Sequence, residues 1–314
     1  MSNSASSFTG VSSGYTAGTP VPADSPIRDN IADAVRRVRE TTPLAQSFTN
    51  FVTINLVANA QLAAGGTAAM SFLPDDVIET AKIAGANYIN VGTLLPFYKD
   101  ALPEIAQRLN YLGKPWVLDP VAAGIGRTRT FILQAFKAAP PTVIRANASE
   151  VIALANMWGL NTESAGDASE HRPAGVESVD DVDSATGAAV ALARYLTEQH
   201  AKHSSHDASI PCAVAVSGIA DLVTDGETVY RLSGGSSMMT KIIGAGCSLG
   251  GVVATYLAVS DPLTAALSAS LLYNRAGEVA DTTSHGPGSF QVAFLDALWN
   301  VTAEQVAESE ILVQ

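Results

Sequence analysis

An α/β domain, with a mostly parallel central sheet and helices on both faces, is the fold class that the sequence predicts. Two observations carry that expectation. Short apolar strands alternate with helical segments of about ten residues, the pattern of repeated strand–helix–strand units. The segments with chemistry-bearing residues fall at the carboxyl ends of those strands, where open α/β sheets hold their ligands. The chain has 314 residues, of which 47% are hydrophobic and 15% charged, so one such domain can bury a full core.

Residues 1–26 are rich in Ser, Thr, Gly and Pro. No basic stretch precedes an apolar one there, so they are expected to be a flexible tail and not a secretory signal. A single domain is expected over 27–314. It opens with a helix in which Ile31, Ala34, Val35 and Val38 recur at helical spacing, its arginines 36, 37 and 39 lying on a solvated face. Val52–Ala64 reads as an Ala- and Leu-rich helix stopped by Gly65-Gly66, and Ala68–Phe72 as a strand. Pro74-Asp75-Asp76 opens a helix with acids where its dipole favours them.

Tyr88–Val91 is a buried strand, Asp100–Leu112 a helix ended by Gly113, and Trp116–Leu118 the next strand. Phe131–Ala138 and Ser149–Met157 read as helices flanking a strand at Thr142–Ile144. The acidic, Gly- and Ser-rich stretch 161–183 is expected to be an exposed insertion. A helix follows over Ser184–His200 and a central strand over Ala213–Val216. Asp225-Gly226-Glu227 between Leu222–Thr224 and Thr228–Leu232 is a hairpin signature, and from Ser248 onward the pattern is mostly helical.

Composition narrows the function. Lys and Arg number 18 against 30 Asp and Glu, a net charge of −12, with a sequence pI near 4.7 and a mean hydropathy of +0.20. The average field repels polyanions, so nucleic-acid binding is not expected. No run of about 18 uncharged apolar residues suggests a membrane span. Cys212 and Cys247 are the two cysteines, too few for a disulfide framework, so a cytoplasmic location is expected.

Four segments carry possible chemistry. Leu118-Asp119-Pro120 sets an acid at a strand end before a flexible loop, a role that turn capping would equally explain. In Asn147-Ala148-Ser149-Glu150, following Arg145, the spacing is that of a capping box. Val216-Ser217-Gly218 places a hydroxyl at a strand end. The sharpest is Ile243-Gly244-Ala245-Gly246-Cys247-Ser248, a glycine-rich turn entering a helix. Its backbone N–H groups form an anion nest, and Cys247 falls in the first helical turn, where a thiolate is expected to be favoured. Neither a Walker loop nor a Rossmann fingerprint is present. His200, His203 and His206 are read as solvated, and the acids 180, 181 and 183 as a helix-entry patch. Met238-Met239 is expected to pack.

Five motifs taken in order resemble the hydroxyethylthiazole kinases of the ribokinase-like superfamily. They are Gln46-Ser47-Phe48-Thr49-Asn50, Asn90-Val91-Gly92-Thr93, Leu118-Asp119-Pro120-Val121, Ile144 through Glu150, and Gly244-Ala245-Gly246-Cys247, with 286–290 matching near the end. The resemblance spans about residues 30–308. It implies transfer of the ATP γ-phosphoryl group to the alcohol of 4-methyl-5-(2-hydroxyethyl)thiazole in thiamine salvage, with Mg²⁺, in a homotrimer whose thiazole sites lie between subunits. It implies that Asn50, Met70, Gly92, Thr93 and Gly244 contact the thiazole. It assigns Asp119, Arg145, Ser217, Ala245 and Gly246 to the nucleotide, Asp119 and Glu150 to the metal, and Cys247 to the catalytic position. Ile243 and Phe51 stand where the family carries Thr and Asn. A non-catalytic thiazole- or nucleotide-binding protein of the same fold, and a kinase of another small alcohol, are the alternative readings.

Overall fold

The structure, a computed structural model, describes residues 18–160, 182–203 and 210–314. Its strands are β1 (Thr19–Pro20), β2 (Leu44–Phe48), β3 (Thr67–Met70), β4 (Ala86–Asn90), β5 (Trp116–Asp119), β6 (Val143–Asn147), β7 (Ala213–Ser217), β8 (Asp221–Thr224), β9 (Val229–Leu232) and β10 (Ile311–Val313). The helices are α1 (Pro26–Thr41), α2 (Ile54–Ala63), α3 (Pro74–Ile83), α4 (Tyr98–Tyr111), α5 (Arg127–Ala135), α6 (Ala148–Met157), α7 (Thr186–His203), α8 (Ala245–Leu257), α9 (Pro262–Thr283), α10 (Pro287–Asn300) and α11 (Ala303–Ala307).

All ten strands form one sheet in the order β1-β10-β9-β8-β7-β6-β5-β4-β2-β3. From β3 across to β7 the pairing is parallel, and β8, β9, β10 and β1 add an antiparallel edge. Alternation along the strands sorts residues to two cores. Ala45, Tyr88, Val117 and Val143 face one core with residues of α1, α2, α8, α9 and α10. Phe48, Ile89, Leu118 and Ile144 face the other with residues of α3 to α7. Strand order reverses at β2, which has β3 on one side and β4 on the other. A crevice at the carboxyl ends of β2 and β4 follows from that reversal.

Most elements lie where the periodicity puts them, within a few residues. Three do not. β2 carries no apolar alternation, because Gln46 and Ser47 are polar yet buried; Ser47 Oγ donates to Gln61 Oε1 at 2.9 Å, which satisfies it inside the sheet. The chain ends in a strand and not a helix, since β10 completes the edge beside β9. Of the expected tail 1–26, residues 18–26 belong to the domain and the rest lie outside the described residues: Thr19 and Pro20 pair with Val313 and Leu312, and Val21 is buried. Pro20 is tolerated because β1 is the sheet's edge. The insertion at 161–183 lies outside the described residues except for Val182, which is buried, and Asp183, which pairs with Arg231.

Arg28 ties the two ends of the chain to the domain. Its Nη2 donates to Val21 O at 3.1 Å, its Nε to Pro22 O at 3.1 Å and its Nη1 to Ser309 O at 2.9 Å, with a further bond to Ala307 O. Substituting Arg28→Ala leaves these carbonyls without that donor and should cost about 2 kcal/mol. Calorimetric unfolding is expected to show Tm lowered by several degrees, whereas an unchanged Tm would mean the strap carries no stability.

Candidate functional site

The site gathers around the carboxyl ends of β2, β4, β5, β6 and β7, beneath the amino end of α8. Asn147 and Glu150 form the capping box that the spacing suggested: Glu150 N donates to Asn147 Oδ1 at 2.9 Å and Asn147 N to Glu150 Oε2 at 3.0 Å. Ala122 N donates to Glu150 Oε1 at 2.8 Å. Both carboxylate oxygens therefore face backbone amides, and Glu150 braces the loop after β5. A metal would have to reach it through the lone pairs left over or through water.

Asp119 is 1% exposed and Arg145 8%. Arg145 Nη1 stands 3.6 Å from Asp119 Oδ2, and its Nη2 donates to Ser217 Oγ at 2.8 Å. Burial pushes the Asp119 carboxyl up to about 7, with Glu150 adding to the rise. Arg145, Tyr88 and Asn90 oppose it. For Arg145, burial works against its charge, but the carboxylates of Asp119 and Glu150 outweigh that and raise its pKa. Tyr88 OH donates to Asp119 Oδ2 at 3.0 Å, and Asn90 Nδ2 donates to the same oxygen at 3.1 Å. Asp119 Oδ1 is buried with no hydrogen-bond partner among the described residues. A bare carboxylate oxygen of this kind suits a hard cation or its water shell.

α8 begins at Ala245 with Gly244 as its cap at φ +89°, a left-handed backbone that an L side chain rarely adopts. A Cβ on Gly244 would also lie 2.7 Å from Thr53 Cγ2. Ser248 N donates to Gly244 O at 2.8 Å, so the amides of Ala245, Gly246 and Cys247 precede the first helical bond and open toward the site. A Cβ on Gly246 would meet Arg145 Nη1 at 2.7 Å. The glycine thus lets a guanidinium lie against the open amides, an arrangement of positive charge and donors that suits an anion.

The other predicted residues divide. Asn50 follows β2, donates to Asn90 Oδ1 at 3.0 Å and has Cys247 Sγ at 3.6 Å. Gly92 lies beside both asparagines, its N donating to Asn90 Oδ1 at 2.9 Å. Met70 ends β3, half-buried against the α8 side of the core, and Thr93 is exposed on the loop after β4. Ser217 supports Arg145 directly. Cys247 departs from expectation: the helix start does not produce a thiolate. Burial, then Asp119, pushes its thiol up to about 11 against the pull of Arg145.

Sequence reasoning passed over Tyr88 and Arg129. Tyr88 looked like one more apolar strand residue, and only its phenol's reach across to β5 reveals a role. Arg129 donates from Nε to Val91 O at 3.0 Å and from Nη2 to Gly92 O at 2.7 Å, fixing the loop after β4. Met238 and Met239 pack against the core as expected. His200, expected to be solvated, is half-buried with its ring 3.0 Å from Pro141 O, and His206 lies outside the described residues. No cluster of three or more His, Cys, Asp or Glu side chains that could hold a metal ion occurs among the described residues.

Residues 35–304 match the model of the hydroxyethylthiazole kinase family. A relative from Bifidobacterium longum strain NCC 2705, "Hydroxyethylthiazole kinase", is 96% identical over 314 residues and all of both chains. One of the same name from Bifidobacterium adolescentis is 69% identical over 91% of this chain and 95% of its own. Among solved structures, a hydroxyethylthiazole kinase protein from Pyrococcus horikoshii aligns with a TM-score of 0.75 at 28% identity, covering 91% of this chain and 99% of that one. The pyridoxal kinase of Staphylococcus aureus, solved in complex with ADP, shares the fold at a TM-score of 0.55 and 14% identity, over 86% of this chain and 97% of its own.

The raised Cys247 thiol has a measurable consequence. Its alkylation rate, followed by peptide mass spectrometry with iodoacetamide, should keep climbing to at least about pH 10, because the thiolate is the nucleophile. A plateau near about pH 8 would instead mean an activated thiolate.

Proposed function

The chain belongs to the hydroxyethylthiazole kinase family and phosphorylates the hydroxyl of 4-methyl-5-(2-hydroxyethyl)thiazole with ATP, and we propose the following division of labour among its residues. The observation that carries it is the buried Asp119–Arg145 pair set under the open amides of α8. Asn50, Met70, Gly92, Thr93 and Gly244 take the thiazole at the crevice where strand order reverses. Arg145, Ala245 and Gly246 take the transferred phosphoryl group, with Ser217 holding the guanidinium. Asp119, through its bare Oδ1, and Glu150, through water, would hold Mg²⁺, which would neutralise charge on the phosphate oxygens.

Phosphoryl transfer asks mainly for alignment and charge stabilisation. In this reading the alcohol oxygen attacks the γ-phosphorus from the side of Asn50 and Cys247, and ADP leaves on the opposite side. The amides of 245–247 face the charge on the equatorial oxygens. A neutral Cys247 is a poor base, so it places the hydroxyl, whose proton passes late to solvent water as the new O–P bond forms.

Self-association as a homotrimer forms part of the same proposal. Phe51, Val52, Leu73, Phe97 and Ile243 are large apolar residues exposed near the thiazole crevice, a mouth that a neighbouring subunit would cover. No helix among the described residues is long and apolar enough to cross a membrane, and Cys212 and Cys247 are both free. These features support a cytoplasmic location.

Replacing Arg145 by Ala should weaken ATP use by on the order of 2–3 kcal/mol while thiazole binding stays intact. An unchanged KM for ATP together with an unchanged kcat would remove Arg145 from the phosphate site. For Cys247→Ala a loss in kcat of roughly 10²-fold is expected from misplacing the hydroxyl, and Cys247→Asp should retain activity. A silent alanine beside an inactive aspartate would show that the thiol merely packs.

A further inference from the structure

Asn90 occupies the seam between the two halves of the site, and its amide is fully committed. Oδ1 accepts from Asn50 Nδ2 at 3.0 Å and from Gly92 N at 2.9 Å. Nδ2 donates to Tyr88 OH at 2.9 Å and to Asp119 Oδ2 at 3.1 Å. A side-chain amide offers two donors and an acceptor with two lone pairs, so no capacity remains. The orientation is not free either. The Gly92 N–H can only donate, so it must face the oxygen, and the nitrogen must then face the carboxylate.

Tyr88 closes the other side. Its phenol accepts from Asn90 and donates to Asp119 Oδ2 at 3.0 Å, so that oxygen receives two neutral donors as well as Arg145. Oδ1 is left without a partner. The carboxylate is held lopsidedly, one oxygen saturated and the other bare. The space for the phenol comes from α8: a Cβ on Gly250 would lie 2.4 Å from Tyr88 Cε2 and 2.9 Å from its hydroxyl. The helix that supplies the anion nest also seats the phenol.

We propose that Tyr88 and Asn90 are positioning residues that present Asp119 Oδ1 to the metal, and that Asn90 ties this presentation to the thiazole pocket through Asn50 and Gly92. The inference rests on the kinase reading given above. It divides the two residues by effect. Tyr88 bonds the metal carboxylate and the Asn90 nitrogen but neither Asn50 nor Gly92, whereas Asn90 touches the carboxylate and the thiazole side together. Partners that orient a metal-binding carboxylate characteristically contribute 10- to 100-fold in metal affinity or activity.

The test is calorimetric titration of the full chain with a non-hydrolysable ATP analogue, with and without Mg²⁺, and separately with the thiazole alcohol. For Tyr88→Phe, which keeps the ring, analogue affinity in Mg²⁺ should fall about 10- to 100-fold. Its affinity without Mg²⁺, and that of the thiazole alcohol, should stay as in the wild type. Gly250→Ala, which crowds the phenol, should reproduce that split, and Asn90→Ala should weaken both the Mg²⁺-dependent binding and the thiazole. Should a variant fail to fold, Tyr88→Phe decides. Unchanged affinity in Mg²⁺ for Tyr88→Phe, or equal losses with and without the metal, would overturn the proposal. Turnover of the thiazole alcohol by the same wild-type preparation tests the kinase reading separately: its absence would overturn that reading, while the Mg²⁺ split still decides the relay.

Discussion

Burying an arginine beside an aspartate at the ends of adjacent strands is the constraint on which the rest of the structure depends. Each charge loses water at a cost of several kcal/mol, and their attraction offsets this only when other polar groups complete the environment. Arg145 has Ser217 and the Asp119 carboxylate, while Asp119 has Tyr88 and Asn90. Gly246 and Gly250 are needed because a guanidinium and a phenol lie where a Cβ would go. The helix that carries both glycines can therefore approach the sheet closely, and its open amides come within reach of the charged pair. Packing and chemistry have one cause here.

Topology explains why the pair has a crevice beside it. Reversal of strand order at β2 separates the loops that leave β2 and β4 from their neighbours' helices, and Asn50 and Gly92 emerge into that gap. Arg129, from the far side of the loop after β5, locks the Val91 and Gly92 carbonyls. In the proposed reading the nucleotide side needs charge and the thiazole side needs shape. The parallel sheet supplies both within one row of strand ends.

Much of this was legible in the residues. Alternating strands and helices gave the α/β class, the Asp-Gly hairpin and the capping box at Asn147 lay where their spacing placed them, and the glycine turn does open α8. What escaped has physical reasons. β2 is stabilised by the buried Ser47–Gln61 hydrogen bond and not by apolar alternation, so a hydrophobic pattern could not reveal it. Tyr88 is indistinguishable from a core residue until its hydroxyl partner on the next strand is known. The state of Cys247 is decided by burial and by Asp119, more than a hundred positions away in sequence, which together override the helix start. Glu150 illustrates the converse: its spacing indicated a capping box, only the family resemblance implied a metal, and the observed geometry turns both its oxygens to backbone amides.

The pairing of β1 with β10 bears on how the molecule is made. Thr19 and Pro20 leave the ribosome long before their partners Val313 and Leu312 exist. From its own synthesis until 311–313 appear, β9 has no neighbour on its outer rim, and Arg28 lacks the carbonyls of 307 and 309 until the same late stage. The parallel strands and the charged pair can assemble meanwhile, because all of their residues lie upstream. Closure of the sheet's edge therefore has to wait until residues 311–313 have been made, long after the strand they pair with.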